Sequence, residues 1–301
     1  MQQIVFRTEN PQMEITINDG GTSKIKHAGG TTSCPTLDLF DFDGNSLGTK
    51  SDNVSCVDMP GQHTINTRIQ PRTLAVTLAF DGRSGGRDTD NSMYTLRRLI
   101  MRCFPLGVKG ELEYTNSNGT FYINCYATEY PNMERTAGTR VVSTFYLIAD
   151  YPFWRQSVQD GPYTVTAGQG IVVLETVDGD MESPIIGEIK CTRTMTGNKE
   201  NPPEWYIYID DQSPGAVNRT SMRFCKPLTV GQTLIFNTGI ENEVHIKLID
   251  TDGTERIAND YVDYGNSTLL KNRVGLTVWG LSVLSGEITV TMNFQNLYWS
   301  V

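Results

Sequence analysis

From Arg72 to Asp81 the chain alternates strictly, with Leu74, Val76, Leu78 and Phe80 on one face and Thr73, Ala75, Thr77 and Ala79 on the other. That is the period of a half-buried strand. The period then changes. Leu96, Leu99, Ile100, Cys103 and Phe104 fall at i, i+3, i+4, i+7 and i+8, which predicts one amphipathic helix over 92–104. Its ends agree: Asp90, Asn91 and Ser92 are competent N-caps, Pro105 stops the helix, and Arg97, Arg98 and Arg102 lie toward the end where the macrodipole favours cations. Beyond it, 110–115 and 119–130 are β-rich runs around Asn116-Ser117-Asn118-Gly119, a hairpin signal, and 140–149 supplies a further strand before Tyr151-Pro152-Phe153-Trp154.

No other segment has convincing helical period. Short alternating runs punctuated by Gly, Asn, Asp and Pro recur from end to end, so the fold class is mainly β. Strands are expected at 3–8 and 13–18, followed by a Gly/Thr/Ser/Asp-rich passage over 20–61, a strand pair within 64–81, and a sheet-to-helix loop over 82–91 that contains Gly85-Gly86. The polar stretch 156–161, ending at Gly161-Pro162, reads as a boundary between a first domain, 1–155, and a second, 156–301. In the second, about seven runs (171–177, 185–192, 205–210, 233–237, 243–250, 273–279 and 287–294) have the spacing of a β-sandwich.

Two groups of motifs carry a family resemblance. The first is Met93-Tyr94-Thr95-Leu96-Arg97-Arg98-Leu99-Ile100, Gly110-Glu111-Leu112-Glu113-Tyr114, Tyr122-Ile123-Asn124-Cys125-Tyr126 and the Pro152-Phe153-Trp154 terminus. The second is Gly179-Asp180 before Ser183-Pro184, Leu234-Ile235-Phe236-Asn237-Thr238 after Val230-Gly231, and Val278-Trp279-Gly280 leading to Glu287 through Tyr298. Together, in this order, they resemble the distal tail (Dit) proteins of long-tailed phages over nearly the whole chain. The departure is at Tyr151, where family members commonly carry aspartate. The resemblance implies a β-barrel-like N-terminal domain with one helix and a hairpin, and a galectin-like C-terminal sandwich. It also implies a structural virion protein: a homohexameric ring joining the tail tube to the tail-tip hub (tail-associated) protein, with receptor-binding proteins held outside and DNA passing through the lumen without specific binding. Synthesis and assembly are then expected in the host cytoplasm, at the site where the tail tip forms. Two alternatives stay open, a carbohydrate-binding host-recognition protein using the sandwich, and the tail-tube subunit itself.

Charge agrees with a protein that does not grip nucleic acid. The net charge of the 301 residues is −9, the wrong sign for binding by counterion release. Residues 1–155 carry 15 Lys+Arg against 16 Asp+Glu, a net of −1, and 156–301 carry 10 against 18, a net of −8. The six cysteines have no CxxC pairing and read as free, mostly buried thiols. The N-terminus has no basic region followed by an apolar core, so no signal peptide is expected, and no apolar run approaches the ~20 residues that cross a bilayer, so no membrane association is expected.

Catalytic, metal and cofactor chemistry find no set of residues. His27, His63 and His245 lack partners at ligand spacing. Asp250-Thr251-Asp252-Gly253 and Asp41-Phe42-Asp43-Gly44-Asn45 open like calcium loops but do not complete them, and Asp-Gly between strands is ordinary turn chemistry. Neither a phosphate loop nor a nucleophile elbow occurs. Trp205 and Ile207 share one face of a strand, which leaves Tyr206 and Tyr208 as the aromatic pair able to meet a sugar. The arginines Arg83, Arg87, Arg97, Arg98 and Arg102 form the one basic concentration. Since unpaired strand edges are templates for addition, the candidates for a copy-to-copy interface are the hairpin residues Glu111, Glu113, Tyr122, Asn124 and Tyr126, with Arg97 and Arg98 on the helix.

Overall fold

A computed structural model describes residues 2–301 apart from 19, 21, 45–46, 55–62, 82, 85–86, 89, 132, 134, 138–139, 197–204, 212–218, 240–243, 269 and 273. The chain divides into two units, Met1–Trp154 together with Trp299–Val301, and Arg155–Tyr298. Cys56, Asn45 and Gly85-Gly86 lie outside the described residues, as do the side chains of His63 and of the proposed helix caps at 90–92.

The first unit contains β1 (Gln3–Glu9), β2 (Gln12–Asn18), β3 (Ser23–His27), β4 (Gly30–Cys34), β5 (Asp38–Asp43), β6 (Thr49–Val54), β7 (His63–Ile69), β8 (Arg72–Asp81), β9 (Arg83–Ser84) and β10 (Arg87–Asp88). The helix α1 (Asp90–Cys103) follows, then β11 (Gly110–Asn116), β12 (Gly119–Ala127), β13 (Arg135–Ala137) and β14 (Arg140–Ala149). Pairing runs β4-β3-β2-β1-β11-β12, then through β14 and β8 to β5. Among the described residues this path stays open at β4 and β5, so the barrel-like expectation resolves into a large antiparallel sheet without closure.

Strand β8 pairs with β14 along ten residues, from Arg72↔Ala149 to Asp81↔Arg140. Alternation then buries Leu74, Val76, Leu78 and Phe80 beside Val141, Phe145 and Leu147, as the period of 2 requires. The helix covers the apolar side of the sheet. It buries Met93, Ile100 and Cys103, while Leu96 and Leu99 stay half-exposed. Just past its end, Phe104 stacks on Phe6 of β1 at 5.0 Å and meets Phe145 of β14 at 4.5 Å, one ring joining two distant strands.

Two expectations fail here for physical reasons. The runs within 64–81 are both strands but not partners, because β7 pairs with β6 and β8 with β14 and β5. Their link is Gln70-Pro71, and a two-residue hairpin needs positive φ that proline forbids. The passage 20–61 is also more regular than its composition indicates, since it holds β3, β4, β5 and β6.

Arg72 has no exposed surface. Its Nη1 donates to the Gly44 carbonyl at 2.6 Å and its Nη2 to the Trp299 carbonyl. Trp154 Nε1 donates to the same Gly44 oxygen at 3.0 Å, and Trp299 packs edge-on against Phe153 at 5.2 Å. The loop after β5, the Pro152-Phe153-Trp154 terminus and the chain end therefore meet at one guanidinium. Burial pulls its pKa down to about 10, partly offset by Asp43.

The second unit is a two-sheet sandwich made of β15 (Trp154–Thr166), β16 (Gly170–Val177), β17 (Ile185–Arg193), β18 (Trp205–Asp211), β19 (Arg219–Phe224), β20 (Thr233–Thr238), β21 (Val244–Ile249), β22 (Glu255–Ile257), β23 (Gly275–Val283) and β24 (Glu287–Tyr298). One sheet runs β22-β21-β20-β17-β24-β15 and the other β16-β23-β18-β19. Between them lie Trp205, Ile207, Trp279, Ile189, Val290 and Phe236, with Trp205 stacked on Phe224 at 4.0 Å. The polar stretch 156–161 lies inside β15, just past the division of the units between Trp154 and Arg155. Gly161, at φ +104, shifts the inward phase from Asp160 to Tyr163 and Val165, the behaviour of a bulge that also accommodates Pro162.

Asp160 is buried and accepts from the Tyr163 hydroxyl at 2.6 Å and from Trp279 Nε1 at 2.8 Å. Glu175 lies on the face of β16 that also carries Ile171, Val173 and Val177. Burial raises its pKa, and the Asp160 charge adds to the effect.

Arg72→Met is expected to destabilise the protein by about 2–4 kcal/mol, since two buried carbonyls lose a charged donor. An unchanged urea midpoint would refute the clamp. Glu175 binds its proton more tightly in the folded state, so its contribution is complete below the unfolded value of 4.5 and is lost as pH rises through the folded one. Glu175→Gln should therefore raise the melting temperature at pH 7 and change it little at pH 4; equal shifts at both would count against this account.

Candidate functional site

The register of the first sheet aligns mostly polar side chains into rows across its outer face, with the buried Val5 as the apolar exception. One row is Lys26, Glu14, Arg7, Glu111 and Asn124; the next is Lys24, Thr16, Val5, Glu113 and Tyr122. All alternate with buried neighbours such as Phe6, Ile15, Leu112 and Ile123, so a period of 2 places four of the five hairpin candidates in adjoining rows. Arg7 is the hub. Its Nε donates to Glu14 at 3.1 Å, its Nη1 donates to Glu113 at 2.7 Å, and Glu111 stands 3.6 Å away. Burial lowers the Arg7 pKa, but Glu113 and Glu14 outweigh it and the net direction is upward. Tyr122 is raised too, by burial first and then by Glu113 and Glu111. The fifth candidate, Tyr126, donates to Asp150 at 3.2 Å, and Lys109 stands 3.7 Å from the same carboxyl group. Beside this face lies an open hollow of about 820 Å³, bounded by Arg7, Glu14, Lys26, His27, Lys109 and Glu111.

One strand of the hairpin has no free edge. Strand β11 is paired on both sides, with β1 from Gly110 to Thr115 and with β12 from Gly110 to Asn116. Edge addition at β11 is thereby excluded, and what β11 offers is its outer face.

Arg97 and Arg98 are separated from that face. The helix packs on the apolar side of the sheet through Phe104 and Phe6, so its outward residues stand on the opposite side of the layer. There Tyr94, Arg97, Arg98, Met101, Arg102 and Tyr130 border a second hollow of about 700 Å³. Arg97 Nε is buried with no hydrogen-bond partner. Among the described residues, the side chains of Arg97, Arg98 and Arg102 make no ion pair within the protomer.

In the second unit Trp205 and Ile207 face the core, and Tyr206 and Tyr208 lie on the outer face with ring centroids 6.1 Å apart. The Tyr208 ring rests on Gly280, where an added Cβ would come within 2.4 Å of its hydroxyl. Arg219 stands over the same ring, 4.4 Å from its centroid, held by a two-point contact with Asp210 at 2.6 Å each. Tyr208 is thus engaged by the protein itself, which leaves Tyr206 as the less encumbered ring. The Asp250 loop is a hairpin turn: Gly253 has φ +85 and donates its N–H to the Asp250 carbonyl at 2.9 Å, and the Asp250 carboxyl accepts from Gln232 and Arg256. The other Asp-Gly segment ends β5, with the Gly44 carbonyl held by Arg72. Among the described residues, no group of three His, Cys, Asp or Glu is arranged to hold a metal ion. The five described cysteines are free, and burial pushes Cys34 up to about 11 and Cys103 to about 12.

Sequence reasoning passed over Arg7, although Asn10-Pro11 joins two alternating runs and so sets Arg7 opposite Glu14. It passed over Tyr94, Met101 and Tyr130 as well, which only the tertiary fold brings together.

No family model matches the sequence, and no curated protein does. Solved structures do. The distal tail protein Dit (gp 19.1) of phage SPP1 superposes with a TM-score of 0.58 at 10% identity, over 87% of this chain and 93% of that one. A chain of the phage P2 baseplate in its activated conformation with Ca gives a TM-score of 0.52 at 11% identity, over 98% of both chains. At such identities the likeness is one of fold, and the fold of this chain is that of the phage distal tail (Dit) proteins.

Proposed function

We propose that the chain is a structural protein of a phage tail tip, a distal tail ring subunit rather than an enzyme. The observation that carries this reading is that the likeness to SPP1 Dit, a hub of adsorption apparatus, spans both units and 93% of that protein. In this reading six copies form a ring through their first units, between the tail tube and the tip hub protein. The second units then face outward, where receptor-binding parts attach. Size is compatible: a domain of ~150 residues has a radius of gyration of about 15 Å, so six enclose an opening of roughly 40 Å, wide enough for duplex DNA.

The outer sheet face supplies the surface for copy-to-copy contact. Its Glu–Arg–Glu rows are held in place by cross-strand ion pairs that are each worth little, about 0.2–1 kcal/mol. They fix side-chain positions more than they stabilise, which suits a surface that must be complementary to a neighbour. The carbohydrate reading is less well supported, because Gly280 and Arg219 already occupy the Tyr208 ring.

A wild-type particle near 202 kDa, six times 33.6 kDa, is expected in light scattering, and negative-stain images should show single rings. Long tubes would move the assignment to a tube subunit. Tyr122→Glu with Asn124→Glu adds like charge beside Glu111 and Glu113 and should leave a folded monomer of unchanged circular dichroism; a double mutant that still forms rings of wild-type mass would exclude this face as the interface.

A further inference from the structure

The three helix arginines are exceptional among the described arginine side chains of the first unit. Arg7, Arg68, Arg72 and Arg140 each have a partner. Arg97, Arg98 and Arg102 have no ion pair or hydrogen bond to any described residue, and the Arg97 Nε is shut away from solvent without an acceptor. Leaving such a donor unpaired costs about 1–3 kcal/mol, a cost that a bound acceptor would remove.

The walls around them are apolar. Tyr94 is 63% exposed and Tyr130 44%, and Met101, Pro11, Pro105, Pro131 and Met133 also border the hollow, with no carboxylate among its described lining residues. Methionine fills irregular gaps and adapts to varied apolar partners, and guanidinium groups bind carboxylates through two parallel hydrogen bonds. The combination recognises an acidic segment that also carries an apolar side chain. A nucleic acid fits less well, since a phosphate track needs an extended positive surface and residues 1–155 have a net charge of −1.

Several described carboxylates already have cationic partners: Glu14 and Glu113 in Arg7, Asp210 in Arg219, Asp250 in Arg256, and Asp260 in Lys226. The hollow is complementary in charge to a carboxylate brought by a partner. We propose that the hollow bordered by Tyr94, Arg97, Arg98, Met101, Arg102 and Tyr130 is a docking site for an acidic, apolar-anchored segment of another protein. This site lies on the opposite side of the sheet from the face assigned to ring contact, so the inference goes beyond the ring and does not depend on it.

The test uses the full-length protein and a displayed library of random dodecapeptides, counter-selected on the Arg98→Glu, Arg102→Glu variant. Enriched peptides should combine Asp or Glu with an aromatic or aliphatic residue. A labelled copy of the most enriched peptide should bind wild type in fluorescence anisotropy, at least about tenfold more tightly than it binds that variant or Arg97→Gln. Its Asp/Glu→Asn/Gln form should bind no better than it binds the variant. The proposal is overturned if no acidic sequence is enriched, if the arginine variants bind equally, or if a single-stranded 12-nucleotide DNA competes as well as the peptide. It is also overturned if Arg98→Glu, Arg102→Glu loses the wild-type oligomeric mass, which would make the hollow a contact between copies. A variant that keeps that mass and loses the peptide supports it, whether that mass is of a ring or of a monomer.

Discussion

Arg72 carries a charge into a position with no solvent, where an ion costs several kcal/mol unless polar groups meet it. The groups that meet it come from far along the chain: the Gly44 carbonyl after β5 and the Trp299 carbonyl near the C-terminus. Trp154 reinforces the first of these. The clamp therefore fixes where β5 ends, where the Pro152-Phe153-Trp154 terminus sits, and that the last three residues return to the first unit. Hydrophobic burial alone would not define these points, because it is non-directional, whereas a planar guanidinium accepts only particular oxygen positions. Phe104 does the corresponding work in the apolar layer by joining Phe6 to Phe145.

The elements legible in the sequence are those flanked on both sides. Arg140–Ala149 was bounded to the residue, and the hairpin over 110–127 and the helix to within three residues, since each has a long buried face with an unbroken period. The elements that were missed are short, polar or phase-shifted. Strand β4 reads Gly-Thr-Thr-Ser-Cys, and only its last residue is buried. In β19 only Met222 and Phe224 face the core. Strand β15 hides behind Gly161-Pro162, because a bulge breaks the alternation that would have revealed it.

Of the candidate surface, the period of 2 was enough to put Glu111, Glu113, Tyr122, Asn124 and Tyr126 on one face. It was not enough to show that Arg97 and Arg98 stand on the other side of the layer, which depends on where the helix docks. The partners of Arg72 were equally illegible, because backbone carbonyls leave no signature in side-chain chemistry.

The sheet topology decides how such a unit can assemble. Strands β1, β8, β11 and β14 have partners on both sides, and the path ends at β4 and β5, of five and six residues. Short polar edges are the usual protection against indiscriminate strand addition. With these four strands internally satisfied, the unit has faces and hollows left for specific contacts. Faces carry information that edges lack, because edge addition uses backbone groups common to every sequence, whereas rows such as Glu14-Arg7-Glu111 accept only a neighbour of matching charge and shape. A sheet with a polar, ion-paired outer face and an arginine-lined hollow on its other side can therefore hold two different partners at once without either contact competing for the same hydrogen bonds.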